Sequence, residues 1–308
     1  MQLLWLVGNK GMLGSEVEEL LKSHNLSYIA TDYEVDITDY KLLNDFIGNK
    51  KIDLIINCAA YTKVDKAEEE IEKAYAINRD GVRNLARIAL AKEAKLIHIS
   101  TDYVFDGQKK KEKEKEKDRL GAGAYLEEDS PNPVSVYGKS KLAGEEELKR
   151  RLEDYFIIRT AWLYGKKGSN FVYTMLKLFQ ERDLVKVVDD QWGSPTYARD
   201  LAEVIIKIIE SGSKQYGIYH FTNEGVTNWY QFAREIYEQA KRQGLIEEER
   251  KVKIMPIKTE EYPTAAVRPR NSILSKEKIK KTFNIKIPYW RESLEKCLKR
   301  ILDEGYRI

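Results

Sequence analysis

The 308 residues carry 53 Lys and Arg against 50 Asp and Glu, a formal charge of +3, with 42% hydrophobic and 33% charged side chains. That length can bury a sizeable core in one large domain or one domain with an appendage. The near balance of charge leaves no footprint for nucleic acid, and the lack of an 18-residue apolar run excludes a membrane-spanning helix. Two cysteines, Cys58 and Cys297, and three scattered histidines, His24, His98 and His220, are too few and too dispersed for a disulfide framework or a metal centre. A start without a basic segment or a small-residue cleavage site predicts a cytoplasmic protein.

The apolar run 3–7 predicts a buried strand. It leads into Gly8-Asn9-Lys10-Gly11-Met12-Leu13-Gly14 and a helical pattern through Leu20 and Leu21. Strand, glycine turn and helix in that order suit a dinucleotide, because small residues let the backbone approach a pyrophosphate and the helix N-terminus offers it free N–H groups. A second strand, 27–31, ends at Asp32. That places a carboxylate roughly 20 residues beyond the turn, where it can bond the adenosine ribose hydroxyls and repel a 2′-phosphate. Lys10 argues the other way, since it can reach such a phosphate, so the choice between NADH and NADPH stays open. Asp36-Ile37 follows on a loop that can cradle adenine, and Asp36 with Thr38-Asp39 also reads as the N-cap region of a short helix over 40–47.

A third strand, 52–60, stops in the small residues Cys58, Ala59 and Ala60, which leave room for a cofactor at the carboxyl edge of the sheet. A long amphipathic helix over 67–91 carries Asn78 near its middle, where a lone asparagine is ordinarily solvated or bonded back to its own helix. The fourth strand, 95–99, ends in Ser100-Thr101-Asp102-Tyr103-Val104-Phe105-Asp106-Gly107, whose hydroxyls are expected to face the same crevice. Residues 108–124 alternate Lys and Glu before turning glycine-rich, and predict a charged, flexible insertion without chemistry.

Tyr137-Gly138-Lys139-Ser140-Lys141 follows a turn-rich approach and opens a helix running through Glu145-Glu146-Glu147 to about Arg151. At that spacing Tyr137 and Lys141 share a helix face. An adjacent ammonium is expected to lower the tyrosine from its free value of about 10, and a tuned phenol can hand a proton to a carbonyl oxygen. Thr101 can hydrogen-bond the oxygen that Tyr137 protonates.

A strand over 155–160 leads to Ala161-Trp162-Leu163-Tyr164-Gly165 and a loop with Ser169-Asn170-Phe171. Beyond it strict β–α alternation weakens. Strands at 185–188, 217–221 and 252–255 and helices at 198–210, 229–241 and 290–302 predict a smaller substrate domain. Its loops 190–196 and 267–272 are polar, turn-forming and suited to ligand contacts. Arg268, in the second, can pair with a diphosphate bidentately. The chain thus reads as α/β: a Rossmann-type doubly wound parallel sheet over 1–160, and a smaller α/β substrate domain over 161–308 from which some segments return to the sheet.

Gly8 to Gly14, Asn57-Cys58-Ala59-Ala60 with Val64-Asp65-Lys66-Ala67-Glu68, Ser100 to Gly107 and Tyr137 to Lys141 together resemble the extended short-chain dehydrogenase/reductase superfamily. Within it, Ser-Thr-Asp-Tyr-Val-Phe-Asp-Gly at 100–107, Arg-Thr-Ala-Trp-Leu-Tyr-Gly at 159–165, Asp-Gln-Trp-Gly-Ser-Pro-Thr at 190–196 and Arg-Pro-Arg-Asn-Ser at 268–272 closely resemble the dTDP-4-dehydrorhamnose reductase family, over residues 3–304. The resemblance implies reduction of dTDP-4-dehydrorhamnose to dTDP-L-rhamnose by hydride transfer from NADPH or NADH. It makes Tyr137 the acid, places Lys141 on the nicotinamide ribose, and completes a triad with Thr101.

By the same resemblance Gly8, Gly11 and Gly14 hold the pyrophosphate, and the cofactor site extends over Lys10, Met12, Leu13, Asp32, Asp36, Ile37, Cys58, Ala59, Ala60, Tyr61, Asn78 and Ser100. Thr62, Val64, Asp102, Tyr103, Trp162, Asn170 and Arg268 fall along the nucleotide-sugar site. Two departures stand out: Tyr33 replaces an arginine that often follows the acidic residue, which weakens the expectation of NADPH, and the insertion after Gly107 is longer than is usual for the family. The scaffold also resembles the regulatory β subunit of methionine adenosyltransferase and reductases of other nucleotide-linked keto-sugars. The intact Thr101, Tyr137 and Lys141 favour the enzyme. The expected partner is a dTDP-linked nucleotide sugar, with a homodimer left open and neither nucleic acid nor membrane implied.

Overall fold

The computed structural model describes residues 2–109 and 123–305; the remainder of the charged insertion, 110–122, lies outside them. The first half runs β1 (Leu4–Val7), α1 (Met12–Ser23), β2 (Tyr28–Thr31), α2 (Tyr40–Ile47), β3 (Leu54–Asn57), α3 (Val64–Ala67), α4 (Ile71–Tyr75), a π-helical segment (Ala76–Gly81), α5 (Val82–Lys92), β4 (Lys95–Thr101), α6 (Val136–Lys149) and β5 (Tyr155–Thr160). The second half adds β6 (Leu163–Tyr164), α7 (Phe171–Glu181), β7 (Leu184–Val188), β8 (Trp192–Gly193), β9 (Thr196–Tyr197), α8 (Ala198–Ser211), β10 (Gly217–His220), β11 (Thr227–Asn228), α9 (Trp229–Arg242), β12 (Lys253–Ile257), α10 (Glu277–Phe283) and α11 (Trp290–Asp303).

Among the described residues six parallel strands form one sheet in the order β10-β5-β4-β3-β1-β2. Branched and large apolar side chains fill these strands because both faces are covered. Alternation sends Leu4 and Leu6 into one core with Val17 and Leu20 of α1 and Leu201 and Ile205 of α8. It sends Trp5 and Val7 into another, with Leu43 of α2, Leu85 of α5 and Leu148. From the C-terminal half, α8 packs against α1 and β10 extends the sheet beside β5. A third core gathers Leu176, Phe179, Phe232, Ile236, Trp290 and Leu298 from α7, α9 and α11. No helix among the described residues is long and apolar enough to cross a membrane.

The strand order reverses at β1, so β2 lies on one side of it and β3 on the other. A crevice opens at the carboxyl ends of strands beside such a reversal. The turn after β1 and the segment after β3 flank it.

One expected element differs. The helix read over 67–91 is broken into α3, α4, the π-helical segment and α5. The segment carries Asn78 inward against α6, where Gly144 makes the approach possible: a Cβ there would lie 2.1 Å from the Asn78 carbonyl oxygen. Helices α7 and α10 go beyond the elements expected from the sequence.

Candidate active site

The glycine turn follows directly from β1. Gly8 sits at φ +81°, its N–H donates to the Thr31 carbonyl at 2.7 Å, and a Cβ on it would stand 2.7 Å from the Ala59 nitrogen. The turn therefore rests on the backbone after β3, and only glycine fits. Gly14 lets α1 close over the turn, since a Cβ there would meet the Gly8 oxygen at 1.9 Å. Gly11 is the N-cap of α1 and brings no side chain to its first turn. That leaves the amides around Met12 and Leu13 open to an anion, so these residues fit a dinucleotide pyrophosphate.

Asp32 directly follows β2 and accepts the Lys10 N–H at 2.9 Å. Asp36 accepts the Thr38 N–H at 2.8 Å, while Asp39 is the residue that caps α2. Ile37 is buried, and a Cβ on Gly81 would touch its Cδ1 at 2.6 Å; the structure packs it into the core and does not bring it to an open face. Beyond β3, Cys58, Ala59 and Ala60 are half-buried, and burial pushes the Cys58 thiol up to about 12, an inert thiol. Asn78, which the resemblance assigned to the cofactor site and which mid-helix position alone would leave solvated or bonded back to its helix, is buried. Its Oδ1 accepts the Tyr61 N–H at 2.9 Å, and its Nδ2 donates to the Tyr61 carbonyl at 3.1 Å and to Ser140 Oγ at 3.0 Å. It thus clamps the segment after β3 to α6.

Helix α6 begins at the N-cap Ser135, whose Oγ accepts the Gly138 N–H at 3.1 Å. Tyr137, Lys141 and Glu145 then follow at four-residue spacing and lie against β4 and β5. Lys141 is buried; its Nζ donates to the Ile99 carbonyl at 2.7 Å and lies 3.5 Å from His98 Nε2, and burial lowers it to about 8. His98 is in turn held by Asn57, whose Nδ2 donates to its Nδ1 at 3.0 Å, and burial keeps it well below its usual value.

The expectation that the ammonium lowers the tyrosine is corrected. Burial raises the Tyr137 phenol above its ordinary value, Asp102 and Tyr103 add to the rise, and the Thr101 hydroxyl works against it. The Lys141 ammonium points to the backbone of β4. Thr101 Oγ1 donates to Asp102 Oδ1 at 3.0 Å and accepts the Tyr103 N–H at 3.2 Å. Ser100 also departs from expectation: strand alternation turns it away from Thr101, and its Oγ donates to Glu145 Oε1 at 2.5 Å. Arg159 completes that buried cluster bidentately, with Nε to Oε1 at 2.9 Å and Nη2 to Oε2 at 2.7 Å.

On the other side of Tyr137 stands Tyr103, ring edge to face with centroids 5.5 Å apart. Its hydroxyl accepts from Arg268 Nη1 at 3.1 Å, and Arg268 Nη2 also bonds the Asp65 carboxylate. Val64 opens α3 beside Asp65, with Thr62 exposed just before it. Arg268, Arg270, Tyr262, Gln108, Gly107 and Asp106 are among the residues that line a cavity of about 700 Å³. Trp162 adopts φ +49°, rare for a bulky residue and typical of strained functional positions, and stacks on Trp229 with centroids 3.7 Å apart. Asn170 Oδ1 caps α7 through the Val172 and Tyr173 N–H groups, and its Nδ2 donates to the Gly165 and Gly168 carbonyls. That side chain is committed to the loop.

Sequence reasoning passed over Glu145, Asp65 and Asn271. Glu145 had a signal, the extension of Tyr-x-x-x-Lys by a further four residues. Asn271 Nδ2 donates to the Lys109 carbonyl at 3.0 Å and the Gly123 carbonyl at 2.7 Å, tying the described ends of the insertion together; nothing local in the sequence announces that.

A parallel sheet with a glycine turn at its reversal, a tyrosine beside a threonine at its carboxyl edge, and a lysine one turn further along the tyrosine's helix, is the framework of a Rossmann-type oxidoreductase. Residues 1–302 match the family model described as the RmlD substrate binding domain, and the chain belongs to that family. A dTDP-4-dehydrorhamnose reductase of Aggregatibacter actinomycetemcomitans is 41% identical over 298 residues, covering 95% of this chain and 97% of that one. The crystal structure of a dTDP-4-dehydrorhamnose reductase from Clostridium acetobutylicum aligns with a TM-score of 0.87 at 40% identity, over 98% of this chain and 100% of its own. That of the Bacillus anthracis reductase, in complex with NADP, gives 0.87 at 38% identity over 97% and 100%.

Proposed function

We infer that the chain reduces the C4 ketone of dTDP-4-dehydrorhamnose to the alcohol of dTDP-L-rhamnose. NADPH or NADH, bound at the glycine turn, supplies the hydride. What carries the reading is Tyr137 beside Thr101 at the carboxyl edge, with Lys141 one turn further along α6, in a chain whose near full-length relatives are reductases of this sugar. The rival reading, a regulatory subunit without turnover, has no comparable support.

Tyr137 is the proton donor. Its raised pKa keeps the phenol protonated at neutral pH, and the developing alkoxide, a far stronger base, takes that proton as the C–H bond forms. Thr101, placed by the Tyr103 amide, would turn its one hydroxyl proton from Asp102 to the substrate oxygen that it shares with Tyr137. Lys141 would hold the ribose hydroxyls of the bound nicotinamide cofactor and, as an ammonium, steady the transient phenolate. Tyr103, Arg268 and the adjoining cavity receive the nucleotide diphosphate, with Trp162 beside the sugar. The sheet with α1 to α6 forms the cofactor half, and α7, α9 and α11 build the substrate half in the cytoplasm.

The test mixes the full chain with freshly generated dTDP-4-dehydrorhamnose and either cofactor, following nicotinamide absorbance and product sugar. Stoichiometric cofactor oxidation with dTDP-L-rhamnose formed supports the reading. An inert mixture, or turnover only of a different nucleotide-linked keto-sugar, overturns it.

A further inference from the structure

The glycine turn contains a lysine positioned to read a 2′-phosphate, but the structure places that lysine under the control of a neighbour. Glu34 lies two residues past the end of the acidic position, and both of its oxygens are engaged. Oε1 accepts the Asp32 N–H at 2.7 Å, and Oε2 accepts from Lys10 Nζ at 2.9 Å. Asp32 is itself aimed by the same small loop, with Oδ2 accepting the Lys10 N–H at 2.9 Å and Oδ1 the Tyr33 N–H at 2.9 Å. Glycine turn and β2 terminus are thereby laced into one rim that carries two carboxylates against one ammonium.

We propose that Glu34 sets cofactor choice, neutralising Lys10 and adding a second carboxylate beside Asp32 so that the site takes NADH in preference to NADPH. The proposal rests on the reading of the glycine turn as the cofactor site. An ionised carboxylate oxygen has two lone pairs, so each Asp32 oxygen can still accept a ribose hydroxyl while holding its backbone N–H. A 2′-phosphate brings about −2 in charge to the same place. It meets Asp32 and Glu34 as like charges, and the Lys10 ammonium that it would reach is already shared with Glu34. Tyr33, 96% exposed, supplies no compensating cation at the next position. The Lys10–Glu34 pair is solvent-exposed, so it contributes little to stability; its consequence falls on the charge that a ligand meets.

Equilibrium titration of the full chain with NADH and with NADPH, read by quenching of tryptophan fluorescence, needs no sugar substrate. The wild type is expected to bind NADH about tenfold more tightly than NADPH, the equivalent of about 1.4 kcal/mol. Glu34→Gln keeps an acceptor for the Asp32 N–H but removes the charge, and should narrow that ratio about fivefold or more through tighter NADPH binding. Adding Lys10→Met to Glu34→Gln should abolish the gain. A wild type that binds NADPH as tightly as NADH, or a ratio unmoved by Glu34→Gln, overturns the role of Glu34 while leaving the cofactor site standing. Failure of both nucleotides to bind sinks the site reading and this proposal together.

Discussion

Asp102 shows how burial assigns chemistry that residue type alone does not. Only 3% exposed, its carboxyl is pushed up to about 6 from an ordinary 3.8, chiefly by desolvation. A folded pKa above the unfolded one means that the native state holds the proton longer. Stability therefore falls as pH rises through the window from about 4 to about 6, and the full penalty applies above it. Asp102→Asn, which removes the charge, should raise the unfolding free energy at pH 7 by up to ~3 kcal/mol, and the gain should vanish near pH 4. Unfolding curves of both proteins across that range check it, and a pH-independent difference would contradict it. The sequence displayed Ser-Thr-Asp at the end of a strand, and with it the place of Thr101. It could not display which hydroxyl faces the crevice, because the strand continues to Thr101 and alternation then sends Ser100 to Glu145. Nor could it show that Lys141 reaches the Ile99 carbonyl, a contact 42 residues away.

At the scale of elements, α6 governs the site. Tyr137, Lys141 and Glu145 stand one turn apart, and the buried Glu145–Arg159 pair fixes the helix against β4 and β5. Removing one partner of such a pair leaves the other charge buried and uncompensated. Glu145→Gln should accordingly lower stability by ~3–5 kcal/mol, measured as a shift in the urea midpoint; a loss below about 1 kcal/mol would mean that Arg159 finds other partners. Within Glu145-Glu146-Glu147 a solvated run is the natural reading, which is why this carboxylate escaped notice. The π-helical segment escaped for a related reason. Its cause is tertiary, the close approach of Gly144 and the bonds from Asn78 to Tyr61 and Ser140, and helical periodicity carries no trace of it. By contrast α2, with its Asp39 cap and strong apolar face, was legible to its ends.

Across the whole molecule the two halves are joined by charge as well as by packing. Glu16 of α1, 1% exposed, pairs with Arg300 of α11 at 2.8 Å and Arg199 of α8 at 3.5 Å, and Arg300 also reaches Glu19 at 2.9 Å and the Tyr197 hydroxyl at 3.1 Å. Arg300→Met should cost ~2–4 kcal/mol, since it strips a buried carboxylate of its nearer partner, and calorimetry should show the loss persisting in high salt because Glu16 is screened little. A loss that disappears in salt would place the network at the surface. The parallel sheet and its glycine turn were plain from strand, turn and helix signals in order. That some C-terminal segments return to the sheet was expected, but which ones, α8 and β10, was not legible, because pairing between distant strands leaves no local mark.

The convergence of that sheet, the glycine turn and α6 on one phenol is the claim on which the functional account turns. Single-turnover hydride transfer, followed by nicotinamide absorbance with dTDP-4-dehydrorhamnose, tests it most directly when Tyr137→Phe is compared with the wild type and cofactor affinity is titrated alongside. The account predicts a rate reduced by about 10²- to 10⁴-fold with cofactor binding nearly unchanged; a variant that transfers hydride at close to the wild-type rate would contradict it.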